Sequence, residues 1–198
     1  SISVETKEET ELMQTLEKTK EVVMNKFFED VPYLPYKGNE KPLFEHENQV
    51  EELLTKHGLK YVAQPNGSQN SPDFHVYYNG DVISLECKSS QETFPTYNGG
   101  LPKKGVIYIF SSARYNETTM YFAEDVVSDV DRKWLDETVV RLNEVLTEQQ
   151  QTKPDDEFNR GFGFYIRNMY TQSGRGKKDY FKHEDRERCE QNVLNTEW

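Results

Sequence analysis

The sequence predicts a three-layer α/β/α domain around a central mixed β-sheet, and three features predict it. Residues 71–88 alternate apolar and polar side chains about Asn79-Gly80, the pattern of a β-hairpin closed by a two-residue turn. Val106-Ile107-Tyr108-Ile109-Phe110 is a continuous apolar run suited to a strand buried on both faces. Segments with helical apolar spacing, from about Glu45 and from Ser128, supply the outer layers. A chain of 198 residues is long enough for one well-buried domain and too short for two.

Taken in order, Leu12, Leu16, Val23 and Phe27 stand near helical spacing and predict one or two helices over residues 5–29. Pro32 and Pro35 turn the chain out of helix, because each biases the residue before it to extended backbone. Helix resumes at about Glu45 with Val50, Leu53 and Leu54 as its apolar stripe, and Gly58 is suited to cap its end. Leu59 to Ala63 reads as a first strand, and residues 65–71 as a polar connection to the hairpin. After Lys88 an irregular, glycine- and proline-rich stretch runs to Gly105 and leads into the apolar strand. Thr118 to Ala123 predicts a further strand. Ser128 is placed to cap a helix through about Gln150, with Val130, Trp134, Leu135, Val139, Leu142 and Leu146 on its buried side. The acidic stretch Lys153-Pro154-Asp155-Asp156-Glu157 breaks the chain before a basic, aromatic final segment.

Both residues of Asn79-Gly80 accept the positive φ of a type I′ turn. If that turn forms, Tyr78 pairs with Asp81 and the numbers of every cross-strand pair sum to 159, so Asp73 stands opposite Glu86. Alternation puts Phe74, Val76, Tyr78, Ile83, Leu85 and Cys87 on a core face. Asp73, His75, Tyr77, Val82, Ser84, Glu86 and Lys88 share the other. Two like charges facing each other across a ladder destabilise it unless a cation lies between them or one takes a proton. A divalent metal answers that conflict. The plainer alternative is a polar strand start at Asp73 and a surface ion pair of Glu86 with Lys88, worth about 0–1 kcal/mol.

Pro72-Asp73, twelve residues, then Glu86-Cys87-Lys88 resembles the motif of the PD-(D/E)XK nuclease superfamily, the fold of most type II restriction endonucleases. The resemblance spans roughly residues 44–125. It implies a restriction-endonuclease-like fold and a Mg²⁺-dependent, sequence-specific endonuclease acting on double-stranded DNA as a homodimer, with Mn²⁺ as a substitute metal and Ca²⁺ supporting binding without cleavage. Asp73, Glu86 and the main-chain carbonyl of Cys87 become metal ligands, and Lys88 activates or orients the attacking water. The family often adds a glutamate from the preceding helix, for which Glu47 is the choice and Glu51 the alternative. The domain then divides into an N-terminal helical and loop region at 1–43, a catalytic core at 44–127, and a C-terminal helix with a DNA-contact segment at 128–198. A structure-selective repair or recombination nuclease of the same fold is the second expectation.

The net charge of −11 weighs against DNA binding, since affinity for phosphate comes from lysine and arginine. Its distribution softens the objection. Residues 1–58 hold 7 basic and 13 acidic groups and residues 117–157 hold 4 and 12, whereas residues 59–116 hold 5 and 4 and residues 158–198 hold 8 and 6. Lys103, Lys104 and Arg114 flank the apolar strand, and Arg175, Lys177 and Lys178 form a glycine-flanked basic loop; all six are candidate DNA contacts. Asn98 and Gln91 have the amide chemistry that reads adenine edges.

Arg160-Gly161-Phe162-Gly163-Phe164-Tyr165-Ile166-Arg167 is similar in part to the stacking octapeptide of RNA-recognition motifs, which suggests a non-catalytic nucleic-acid-binding module as a third reading. A core strand with Phe162, Phe164 and Ile166 packed inward is the plainer one. Two cysteines make no disulfide framework, and His46, His57, His75 and His183 lack zinc-type spacing with them. No run approaches the ~18 apolar residues of a membrane span. A soluble cytoplasmic protein of prokaryotic or viral origin, with no membrane partner, is the expectation.

Overall fold

The computed structural model describes residues 3–154, 163–172 and 184–198. Helix α1 (Ser3–Asp30) leads through a 3₁₀ turn (Val31–Tyr33) to α2 (Glu45–Lys56), then to strands β1 (Lys60–Ala63), β2 (Phe74–Tyr78) and β3 (Asp81–Ser90). Strand β4 (Thr96–Asn98) precedes β5 (Val106–Ser112) and β6 (Glu117–Phe122). Helices α3 (Ala123–Val126) and α4 (Asp129–Gln151), strand β7 (Met169–Thr171) and helix α5 (Glu184–Leu194) complete the described elements. The fold is mixed α/β.

Strands β1-β2-β3-β5-β6 form one five-stranded sheet, antiparallel except where β3 runs parallel to β5. The β2–β3 register runs from Tyr78↔Asp81 to Phe74↔Leu85, every pair summing to 159. The turn chemistry accounts for it: Asn79 has φ 49° and Gly80 φ 78°, left-handed at both positions as a type I′ turn demands. Alternation then buries Phe74, Val76, Tyr78, Ile83, Leu85 and Cys87, as the sequence predicts.

That apolar face packs with Met24, Phe27 and Phe28 of α1 and Val50, Leu53 and Leu54 of α2. Leu12, by contrast, is exposed, and the side chain of Leu16 lies outside the described residues. Strand β5 is buried along its whole length, as its composition predicts. Its second face carries Tyr108 and Phe110 into a smaller core with Tyr97, Tyr121, Ala123 and Cys189.

Two expectations fail here. The Ser128 helix forms, with the Ser128 side chain accepting the Asp131 N–H, but it buries no residue. Val130, Trp134 and Leu142 are exposed, and Leu135, Val139 and Leu146 are only partly covered, so α4 is not the second outer layer of the sheet. The covering elements are β4, which pairs with β7 in a two-stranded sheet, and α5, a helix without an expectation behind it. Helix α5 lies along β6 with Cys189 in the smaller core and Val193 in the larger, and Thr119 Oγ1 donates to Glu190 Oε1 at 2.8 Å. A bare sheet edge is thereby closed. The second failure is the inward-packed strand at 162–166: Phe164 and Tyr165 are exposed, strand begins only at Met169, and Phe162 lies outside the described residues.

Candidate active site

Where β2 begins, Asp73 stands one residue before the first paired position, and Glu86 one beyond Leu85 on β3. The Asp73 carboxylate is buried, 7% exposed, and its Oδ2 accepts the main-chain N–H of Cys87 at 2.7 Å. Glu86 accepts from Ser71 Oγ at 2.5 Å. The parallel pairing of β3 with β5 sets Glu86 beside Tyr108, and β5 with β6 sets Tyr108 beside Tyr121, so one row crosses three strands on one face. Above it lies Tyr97 of β4, its ring edge-on to Tyr108 at 5.5 Å and its hydroxyl 2.5 Å from that of Tyr121.

Glu47 reaches the same neighbourhood from α2. Its main-chain N–H donates to Asn39 Oδ1, and the Asn39 N–H donates to Ser89 Oγ of β3, which ties the start of the helix to the strand. Gln64, held in a left-handed conformation (φ 51°), donates from Nε2 to Glu47 Oε2 at 3.3 Å and stands 3.5 Å from Asp73 Oδ1. Its Oε1 is buried without a partner among the described residues. Glu51, the alternative, instead accepts the Tyr61 hydroxyl at 3.0 Å.

Carboxylates gathered in a half-dry place resist ionising. Burial first, and the neighbouring Glu86 second, push Asp73 from 3.8 up to about 7; the Cys87 N–H and Lys88 pull the other way. Burial and Glu86 likewise raise Glu47. Burial and the surrounding acids raise the Cys87 thiol well above its usual range, so it is no nucleophile.

Asp73, Glu86 and Lys88 line a cleft of about 400 Å³ with Ser71, Tyr97, Asn98, Lys103 and Tyr108. The Lys88 ammonium lies 5.7 Å from the centre of the Tyr97 ring. The Lys103 N–H donates to the Tyr108 hydroxyl at 2.8 Å, which fixes this lysine at the rim. Asn98 also lines the cleft, with its Oδ1 engaged by Arg167 Nε at 2.9 Å. Two other DNA-contact candidates are turned to other partners: Lys104 pairs with Asp129 at 2.7 Å and Arg114 with Glu92 at 3.5 Å, all four side chains exposed. Gln91 donates to the Tyr36 hydroxyl. Arg175, Lys177 and Lys178 lie outside the described residues.

Among the described residues no group of three or more His, Cys, Asp or Glu side chains is arranged to hold a metal ion. A cation here would draw on Asp73 and Glu86 together with the main-chain oxygen of Cys87. The hard-oxygen chemistry of that set suits magnesium, and a buried carboxylate raised to about 7 beside a second one gains from a cation. The residues therefore fit the group.

Sequence reasoning omits four residues of this site: Gln64, Ser71, Tyr97 and Tyr108. Ser71 had a signal, its place beside Pro72-Asp73. Gln64 comes near the carboxylates beside the β1–β2 pair, and Tyr97 and Tyr108 only through pairing of strands farther apart in the sequence.

Comparison with protein-family models, with curated proteins and with solved structures gives no match for this chain.

Proposed function

We propose that the chain is a magnesium-dependent endonuclease that hydrolyses phosphodiester bonds of double-stranded DNA at defined sequences, as type II restriction enzymes do. The observation that carries the reading is the convergence of Asp73, Glu86 and Lys88 on one cleft, with the Asp73 carboxylate buried and facing a second acid. The Pro72-Asp73 and Glu86-Cys87-Lys88 motif, formed by the same residues, agrees with it.

In this reading Asp73 and Glu86 hold the cation with the Cys87 carbonyl oxygen, and the hydrogen bond from the Cys87 N–H keeps Asp73 in position. Bound magnesium supplies charge neutralisation at the scissile phosphate and lowers the pKa of water. Lys88, inside the cleft and beside the Tyr97 ring, orients the attacking water and offsets the charge that develops on the phosphoryl oxygens. Lys103, at the rim, holds an adjacent phosphate. One cleft cuts one strand, so cutting both strands of a duplex calls for two copies, and a homodimer is part of the proposal.

Supercoiled plasmid of mixed sequence incubated with the protein and Mg²⁺ tests it. Discrete linear fragments are expected, and Asp73→Ala, Glu86→Ala and Lys88→Ala should each lower the rate by roughly 10²–10³-fold or more while keeping the circular dichroism spectrum. Full cleavage by a folded Asp73→Ala protein would sink the site assignment. Junction-selective cutting would favour a repair nuclease instead, and intact DNA with retained binding a non-catalytic module.

A further inference from the structure

Beside the acidic cleft, and sharing Tyr97 and Leu101 with it, lies a second groove of about 750 Å³ between the start of α4 and the β4–β7 ribbon. Trp134, 61% exposed, forms one wall, and Met169 and Tyr170 of β7 the other. Among the described residues no lysine or arginine lines it, and the one charged lining residue is Asp131, which repels phosphate and carboxylate alike. Gln172, at the end of the ribbon, accepts the Tyr97 hydroxyl proton through Oε1 at 2.6 Å, and its Nε2 is buried with no partner among the described residues. Whichever way round the amide lies, one of its polar atoms at this wall remains unpaired.

An apolar slot with an exposed indole, a spare amide group and a charge hostile to anions suits a neutral, flat, hydrogen-bonding ring. The continuity of the two grooves says where such a ring would come from: a strand with its phosphate in the acidic cleft has its bases within reach of the next slot. We propose that this groove binds a nucleobase unstacked from the strand whose phosphate occupies the Asp73–Glu86 cleft, with Trp134 as its stacking surface and Gln172 as its polar partner. The position of the strand rests on the nuclease reading; the affinity of the groove for a base does not.

Binding without cleavage separates the two. In Trp198→Phe protein with Ca²⁺, Trp134 is the only remaining tryptophan and its emission reports the groove. A short single-stranded oligonucleotide should quench it, and should bind roughly tenfold or more tightly than the same backbone made wholly abasic, the usual range for loss of base stacking. Trp134→Ala should bring both to the same affinity, measured by anisotropy of a labelled strand, and Gln172→Leu should narrow the gap. A deoxynucleoside monophosphate should bind more weakly than the oligonucleotide. Equal affinity and equal quenching for abasic and base-bearing strands would overturn the proposal, as would a mononucleotide that matches the oligonucleotide. If wild-type protein fails to cut DNA in Mg²⁺ while base-dependent quenching persists, the nuclease reading falls and the base site stands.

Discussion

His46 and Asp73 are buried with opposite sensitivities to acid. His46 is fully buried on α2, where Nε2 bonds the carbonyl of Ile109 at 3.0 Å and Nδ1 meets the Gln49 amide at 3.1 Å. Both contacts suit the neutral ring, with Nε2–H donating and Nδ1 accepting, and burial lowers its pKa to about 4. The unfolded chain binds this proton from pH 6.5 downward, so the contribution of His46 to stability is lost as pH falls from about 6.5 to 4. Asp73 runs the other way. With its pKa raised to about 7, the folded protein binds a proton that the unfolded chain releases near 4, and stability is lost as pH rises from about 4 to 7. The two slopes oppose each other over the same window, so in the absence of metal they offset each other in part. Relative to wild type, Asp73→Asn should gain stability as pH rises from 4 to 7, by up to about 4 kcal/mol, and His46→Gln should lose it by up to about 3 kcal/mol between pH 4 and 6.5. Urea midpoints across that range check both. A difference between Asp73→Asn and wild type that does not change with pH would place the charge conflict elsewhere.

At the scale of elements, the hairpin was legible and α4 only half so. Two left-handed positions and a period of two are local facts, so Asn79-Gly80 and the alternation around it specified turn, register and the two faces together. Gly80→Ala should therefore cost about 1–2 kcal/mol, because φ 78° crowds a Cβ against its own backbone even though no neighbour lies within 4 Å. A denaturation midpoint unchanged in that variant would mean the turn relaxes freely. Helix α4 was readable as a helix from its cap and period, but periodicity says that an apolar stripe exists and not what it faces. The β4–β7 ribbon escaped notice for another reason. Three residues of β4 have no pattern of their own, and their partners come about seventy positions later. Tyr97 consequently reads as part of an irregular loop in the sequence and as the wall of two grooves in the fold.

For the whole molecule, charge and site pull against each other. A chain of net charge −11 with a buried acidic cleft should repel a polyanion until a cation intervenes, so under the proposed function binding and chemistry would share one requirement. Affinity for duplex DNA should be at least severalfold higher in Ca²⁺ than in chelator at matched ionic strength, and Asp73→Asn should narrow that difference by removing one repelling charge. Titration of a labelled duplex measures it, and equal affinity in both conditions would contradict the metal-mediated grip. Under the proposed function, the order of synthesis would add a second control, one set by time. The hairpin that carries Asp73, Glu86 and Lys88 is complete by residue 90, whereas the strand that anchors Tyr97 and Asn98 over them is translated only at 169–171. At ~5–20 residues per second, the floor of the cleft leaves the ribosome several seconds before its roof. A chain interrupted in that interval would carry the acids and the lysine without the strand that roofs them, and a half-made copy would be a poor cutter of DNA.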